Sequence, residues 1–229
     1  MVLWSYKMIL ACQWNKLKKS VILNQSVALI EMMYKSNLIA IVFEKDKDKV
    51  VIWDDYEERT KTEISFHSEV KNIKLSKEHM VVVLDEKVFV FNFGSLKWID
   101  QIETIENPNG IVALAQGDNP LNKVVVWPHD YKGMLKVHIY VMDKGIENIV
   151  TAHEKEIGAL AVNSEGTLIA SASQKGTMIR IISVEGGDQL QELRRGSGKA
   201  MINCLIFHPT LNLLAWWSDK ESVHVFEIK

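Results

Sequence analysis

The sequence predicts an all-β protein with the repeated four-strand architecture of a β-propeller, and three observations support this. A short motif of the form apolar, any residue, apolar, bulky occurs five times, at spacings of 38, 49, 42 and 44 residues. Two further strand-like runs precede each occurrence, and a fourth run follows four of the five. No stretch of about twelve residues shows a convincing helical stripe. Four short strands recurring every 40 to 45 residues or so are typical of a propeller blade, whereas a sandwich or barrel has no such unit.

The runs can be read in chain order within each unit. The earliest runs are SVALIEMM, VKNIKLS, GIVALAQ, IGALAVNS and INCLIFHP. The second runs, with their polar turns, are NLIAIVFEKDKDK, MVVVLDEK, KVVVWPHDYKG, GTLIASASQKG and NLLAWWSDKE. The repeated motif follows as VVIW, VFVF, VHIY, IRII and VHVF, and the fourth runs are EISFHS, WIDQIET, ENIVTAH and LQELRRG. All are rich in β-branched and aromatic residues and are bounded by Asn, Asp, Gly or Lys, as expected of strands.

These units predict the domain organisation. We expect one propeller domain over residues 1–229, with a partial blade at 1–25, complete blades at 26–69, 70–109, 110–156 and 157–201, and a partial blade at 202–229. The first partial blade offers two candidate strands, around Tyr6–Cys12 and Lys18–Asn24, and the last unit stops after its third strand. About five blades' worth of sheets is therefore expected, as an open arc with exposed apolar faces and unpaired edges.

Composition narrows the class of protein. The 229 residues are 47% hydrophobic and 24% charged, which is typical of a globular chain and not of a disordered one. The net charge of −2 argues against a basic surface that would bind nucleic acid. No apolar run approaches the roughly 18 residues that span a bilayer, and the start is a poor signal peptide. Two cysteines, Cys12 and Cys204, are too few for a disulfide framework, so we expect reduced thiols in a cytosolic protein.

Catalytic and cofactor-binding signatures are missing from the sequence. The seven histidines are scattered without metal-ligand spacing, and no GxSxG motif is present. Cys204 lies in an apolar strand pattern, so we expect a buried, inert thiol. The GSGK run is not a nucleotide-binding P-loop, because the first glycine of that motif is Leu193 here and Ala200 follows Lys199. We therefore expect neither an enzyme nor a cofactor.

A basic segment between the fourth run of one unit and the first run of the next is the strongest candidate site. Residues 193–199 read LRRGSGK, with three cations and three small residues in seven positions. Arginine offers a planar fork that matches phosphate, and glycine lets backbone N–H groups approach an oxyanion. The composition of this segment is equally compatible with an ordinary solvated turn.

At this segment the chain resembles a known family. SASQKGTMIRI followed by LQELRRG resembles the signature of the PROPPIN family, seven-bladed WD-repeat-like propellers that bind phosphoinositides. The tail AWWSDKESVHVF and the run DKVVIWDDYEERTKTEISFHSEVKNIKL are similar to the family and to its WIPI branch. The resemblance covers roughly residues 26–229. It implies a cytoplasmic, non-catalytic autophagy adaptor, peripherally associated with autophagosome precursor or endosomal membranes that carry phosphatidylinositol 3-phosphate or 3,5-bisphosphate.

The resemblance also implies which residues bind the lipid. The family directs its two adjacent arginines into two headgroup pockets, as alternating side chains of an extended segment permit. The first pocket would contain Arg194 with Ser171, Ser173, Gly176, Thr177 and Arg180. The second would contain Arg195 with Ser218, Ser222 and His224, and Gly196 completes the arginine motif. Ser222 stands where the family usually has Thr, and Trp217 replaces a small residue and is expected to crowd the second pocket.

Simpler interpretations exist for these residues. Ser171 and Ser173 can satisfy a strand edge, Arg180 can be a surface cation, and His224 can be an ordinary strand histidine. His153 occupies a position that WD-type blades use for a structural hydrogen bond, so we expect a structural role for it.

The resemblance further implies that this chain lacks most of the first blade, all of the last and the membrane-inserting loop of the sixth. Part of the surface that binds the family's autophagy lipid-transfer protein would also be missing. The alternative function is a propeller scaffold that binds proteins without effective membrane binding.

Overall fold

The computed structural model describes residues 25–33, 36–117, 123–141 and 144–228. All the regular secondary structure of these residues is β-strand, and the strands form five antiparallel sheets. The described residues include no helix that is long and apolar enough to cross a membrane. The candidate strands at Tyr6–Cys12 and Lys18–Asn24 lie outside the described residues.

The sheets follow one another along the chain. The first sheet contains β1 (Val27–Met32), β2 (Leu38–Phe43), β3 (Asp46–Asp54) and β4 (Arg59–Ser65). The second contains β5 (Asn72–Leu75), β6 (His79–Val83), β7 (Lys87–Asn92) and β8 (Trp98–Glu103). The third contains β9 (Ala113–Leu114), β10 (Lys123–Pro128), β11 (Met134–Val141) and β12 (Lys144–Thr151). The fourth contains β13 (Ile157–Val162), β14 (Leu168–Ser173), β15 (Met178–Ser183) and β16 (Gln189–Arg194), and the fifth contains β17 (Ile202–Phe207), β18 (Leu213–Ser218) and β19 (Val223–Glu227).

The strand pattern of the sequence is confirmed. Each sheet is a simple meander in which consecutive strands pair, and each predicted four-residue motif lies in the third strand of its sheet. The run GIVALAQ gives only the two-residue strand β9, because only Ala113 and Leu114 pair with β10.

Contacts between first strands arrange the sheets as propeller blades. Strand β1 contacts β5, β5 contacts β9, β9 contacts β13 and β13 contacts β17. The first strand of each sheet is therefore innermost, and the later strands extend outward. Among the described strands, β17 makes no comparable contact with β1, and the fifth sheet has three described strands, which confirms the open propeller arrangement.

The core lies between neighbouring sheets, so central strands are buried on both faces. All five residues of β6 are buried, which explains why MVVV is a continuous apolar run without alternation. Val42 and Val82 belong to one cluster between the first and second sheets, and Ile181 and Trp216 belong to another between the fourth and fifth.

One face of the fifth sheet is exposed, and this corrects the prediction for Cys204. Leu205 and Trp216 face the fourth sheet, whereas the alternating neighbours on the three strands face outward. The exposed face is formed by Cys204, Ile206, Ala215, Trp217, Val223 and Val225. The apolar pattern predicted burial of Cys204, but the thiol lies on the face that no described sheet covers.

The meander also defines two ends of the sheets. Turns between second and third strands lie at the same end as the connectors to the next sheet, because strand directions alternate. We call this end, in the third to fifth sheets, the connector end. It is formed by residues 129–133, 152–156, 174–177, 195–201 and 219–222.

Candidate functional site

The site is centred on the connector between β16 and β17, which is hydrogen-bonded to the β14–β15 turn. The backbone N–H groups of Arg195 and Gly196 donate to the carbonyl of Thr177 at 2.9 and 3.4 Å. The N–H of Ala200 donates to the carbonyl of Lys175 at 3.1 Å. The basic segment is therefore a fixed part of the fourth sheet.

Gly176 makes this close approach possible. Its φ is +62°, and a Cβ at this position would lie 1.9 Å from the carbonyl oxygen of Ala200. Only glycine fits both the conformation and the space. The carbonyl of Gly176 accepts a hydrogen bond from Arg195 Nε at 2.6 Å, and Arg195 Nη2 donates to the carbonyl of Gly198. The guanidinium of Arg195 is thus held between the turn and its own connector.

Arg194, unlike Arg195, has a free side chain. It is the last residue of β16, opposite Met178, and its side chain is exposed. Among the described residues, its guanidinium has no hydrogen-bond or ion-pair partner. All five N–H donors of Arg194 are therefore available to an anion that approaches from solvent.

Ser171, His153 and Arg180 form a connected group beside the arginine pair. Ser171 is fully buried, lies opposite Arg180, and has its hydroxyl 3.1 Å from His153 Nε2. Burial lowers the pKa of His153 and outweighs a hydrogen bond with Ser171 that would raise this pKa. The charge of Arg180 also lowers the pKa, and the charge of Glu192 opposes it. Arg180 Nη1 donates to the carbonyl of Ala152 at 2.7 Å, and its Nε donates to Glu192 at 2.8 Å.

Two hydroxyl groups of the predicted first pocket flank the glycine turn. Ser173 ends β14, and its carbonyl accepts the N–H of Gly176 at 2.8 Å. Thr177 holds the connector through its carbonyl. In the part of the chain that the structure describes, the hydroxyls of Ser173 and Thr177 make no hydrogen bond, so both are available to a ligand.

The second predicted group lies on the inward face of the fifth sheet. Ser218 is fully buried and accepts the N–H of Lys220 at 3.4 Å. The hydroxyl of Ser222 is 3.0 Å from His224 Nε2. The His224 ring stacks on Trp216, with ring centroids 5.4 Å apart, so this histidine has a defined orientation.

The prediction that Trp217 crowds this second group is wrong. Trp217 lies opposite Val223 on the exposed face of the sheet, and its side chain is 43% exposed. Its neighbours Trp216 and Ser218 are buried on the other face. Side chains alternate along a strand, so Trp217 leaves the space around Ser218 free.

The connector joins the two groups without direct side-chain contact. The carbonyl of Met201, at its end, accepts the backbone N–H of Asp219 at 3.0 Å, and Asp219 Oδ1 accepts the N–H of Met201 at 3.0 Å. The connector is thereby attached to the β14–β15 turn and to the β18–β19 turn. Within the described residues, Arg195 makes no hydrogen bond to Ser218, Ser222 or His224.

Sequence reasoning did not include Glu192 or a site role for His153. Glu192 fixes Arg180 by a 2.8 Å ion pair, and His153 contacts the predicted site residue Ser171. Glu192 lies opposite Arg180 in the β15–β16 register, so a charge pair across the predicted hairpin was the available signal. His153 belongs to the preceding connector, and only the packing of the third sheet on the fourth brings it here.

The chemistry that this arrangement can support is the binding of an anion. An unpaired guanidinium and two free hydroxyls beside the connector suit a phosphate group. Over the described ranges, no group of three or more His, Cys, Asp and Glu side chains could hold a metal ion.

Comparisons with known proteins show the family and the fold of the chain. Residues 5–229 match the family model for PROPPIN. Autophagy-related protein 18e of Arabidopsis thaliana is 35% identical over 205 residues, which cover 87% of this chain and 54% of that protein. The structure of Kluyveromyces lactis Hsv2 superposes with a TM-score of 0.76 at 29% identity, over 88% of this chain and 62% of that one.

A more distant structure shows the fold alone. The β-propeller domain of Cps50 (Swd1) from Myceliophteria thermophila is 13% identical, with a TM-score of 0.73 over 92% of this chain and 68% of that one. The chain spans about half the length of the curated relatives that it matches.

Proposed function

Because the chain belongs to the PROPPIN family, we propose that it is a non-catalytic adaptor that binds phosphatidylinositol 3-phosphate or 3,5-bisphosphate on cytoplasmic membranes during autophagosome formation. The relative named autophagy-related protein 18e supports the process. One observation supports binding to a phosphorylated lipid. In the connector, Arg194 has no internal partner and lies beside a glycine turn and two free hydroxyls.

The first headgroup site would be built on the fourth sheet. Arg194 supplies a bidentate contact to the phosphate, and the hydroxyls of Ser173 and Thr177 donate to its remaining oxygens. Arg180 contributes positive charge from a position fixed by Glu192, and the neutral His153 keeps the buried Ser171 hydroxyl oriented.

The second headgroup site would lie between the connector and the fifth sheet. Arg195 already donates to two backbone carbonyls, so a phosphate there must share or replace these acceptors. Ser222, His224 and the partly exposed edge of the β18–β19 turn provide further donors. We expect this site to be weaker than the first, because its arginine has partners to give up.

Substitution of the arginine pair tests the proposal. Arg194→Ala with Arg195→Ala should abolish selective co-sedimentation with vesicles that contain phosphatidylinositol 3-phosphate, while each single change should reduce it in part. A matched control is Arg59→Ala with Lys61→Ala, which removes the same charge from the first sheet. Unchanged binding of the arginine-pair variant would contradict the proposal, and so would an equal loss in the control. Because the contacts are ionic, the affinity should also fall as salt rises.

The second candidate function is a protein-interaction scaffold. The exposed apolar face of the fifth sheet favours it, since contiguous exposed apolar side chains commonly mark interaction surfaces. A wild-type chain that binds no phosphoinositide vesicle, yet loses a protein partner when this face is made polar, would favour the scaffold over the lipid adaptor.

A further inference from the structure

The β10–β11 turn places one aromatic ring in solvent at the connector end. The side chain of Tyr131 is 70% exposed. Its ring stacks on His129, with centroids 5.3 Å apart and an interplanar angle of 14°. His129 is buried, and its Nδ1 accepts the backbone N–H of Tyr131 at 2.9 Å. The contacts with the buried His129 therefore fix the orientation of the exposed Tyr131 ring.

The same turn is attached to the first headgroup site. The carbonyl of Gly133 accepts the N–H groups of Ala152 and His153 at 2.9 and 2.8 Å. Gly133 has a φ of +74°, and a Cβ there would lie 1.8 Å from the carbonyl oxygen of His153. The carbonyl of Ala152 in turn accepts the hydrogen bond from Arg180. Tyr131 thus projects from a segment that directly contacts residues of the site.

Charge is distributed unequally between the two ends of these sheets. The five segments of the connector end carry six Lys and Arg side chains against five carboxylates. The excess of positive charge lies at the first headgroup site, because residues 174–177 and 195–201 contain Lys175, Arg195 and Lys199 and no Asp or Glu. At the opposite end, the described turns 163–167, 184–188 and 208–212 contain no Lys or Arg and carry Glu165, Glu185 and Asp188. An anionic surface would therefore be attracted to the connector end and not to the other.

We propose that Tyr131 is a membrane-contact residue that enters the headgroup region of an anionic bilayer beside the bound phosphoinositide. A tyrosine ring has an apolar body and a polar tip, which suits the membrane–water interface. Lys175, Lys199 and the unpaired Arg194 at the same end attract anionic lipids. The inference rests on the proposed function, because headgroup binding is what brings this end of the sheets to the bilayer.

Two ligands separate membrane contact from headgroup binding. One is a vesicle of phosphatidylcholine, phosphatidylserine and phosphatidylinositol 3-phosphate, and the other is water-soluble short-chain phosphatidylinositol 3-phosphate. Tyr131→Ala should weaken vesicle binding about three- to tenfold and leave the soluble ligand unaffected. Tyr131→Trp should bind vesicles at least as tightly as the wild type, since tryptophan also favours the interface.

Tyr56→Ala is the matched control. Tyr56 is 86% exposed in the β3–β4 turn, which lies away from the connector end, so its loss should change neither measurement. Wild-type vesicle affinity in Tyr131→Ala would overturn the inference. It would also fail if Tyr131→Ala lost the soluble ligand, since Tyr131 would then support the pocket, or if Tyr56→Ala weakened vesicle binding equally. A wild-type chain that binds neither ligand would overturn the proposed function, and this inference with it.

Discussion

Replacing Gly176 by alanine should loosen the connector and destabilise the protein. An L-residue at a φ of +62° costs about 1–2 kcal/mol. The new Cβ would also lie 1.9 Å from the Ala200 carbonyl oxygen, so the connector must move away from the turn. That movement weakens the hydrogen bond from Ala200 to Lys175 and the one from Arg195 to Gly176, each contributing roughly 1 kcal/mol. We expect the free energy of unfolding to fall by about 2–4 kcal/mol.

Urea unfolding followed by tryptophan fluorescence measures this change. The control is Gly198→Ala, because a Cβ at Gly198 meets no atom within 4 Å and the Gly198 carbonyl remains available to Arg195. The control should unfold within about 0.5 kcal/mol of the wild type. Under conditions where both variants are folded, Gly176→Ala should also bind phosphoinositide less tightly than Gly198→Ala. If Gly176→Ala is as stable as the control, the close packing of the turn on the connector is refuted.

Two further predictions concern acid and self-association. Burial holds the pKa of His153 below its ordinary value, so the stabilising effect of this residue is present above about pH 6.5 and is lost as the pH falls through the lower pKa of the folded state. His153→Gln should therefore flatten the dependence of the unfolding free energy on pH in this range. An NMR titration should show the pKa of His153 rising when a phosphoinositide headgroup is added. Ile206→Glu with Trp217→Glu should reduce concentration-dependent self-association, measured by sedimentation velocity. The β-sheet circular dichroism should stay unchanged, because both side chains are exposed. Association equal to that of the wild type would show that this face is not the one that self-associates.

Local pattern was sufficient to predict the strands, because each short strand carries its own β-branched residues and turn signals. It was not sufficient to predict which face of the fifth sheet is buried and which is exposed. The β17–β18 register pairs Cys204 with Trp217 on one face, but only the position of the neighbouring sheets decides which face is covered. The same holds for the contacts of Arg180. The pair with Glu192 lies across one hairpin and could be predicted from local pattern, whereas the contact with the Ala152 carbonyl depends on the packing of another sheet.

The attachment of the connector to two neighbouring turns has a consequence for how membrane binding responds to lipid density. Arg194 and Arg195 leave one short backbone segment whose ends are hydrogen-bonded to the fourth and fifth sheets. Under the proposed function, once the first headgroup is bound, the second site is confined near the bilayer at a high effective concentration of lipid, and no new contact has to be formed to place it there. The avidity gained this way rises with the surface density of the phosphoinositide, so recruitment should increase more steeply than in proportion to the lipid and should mark membranes that are locally enriched.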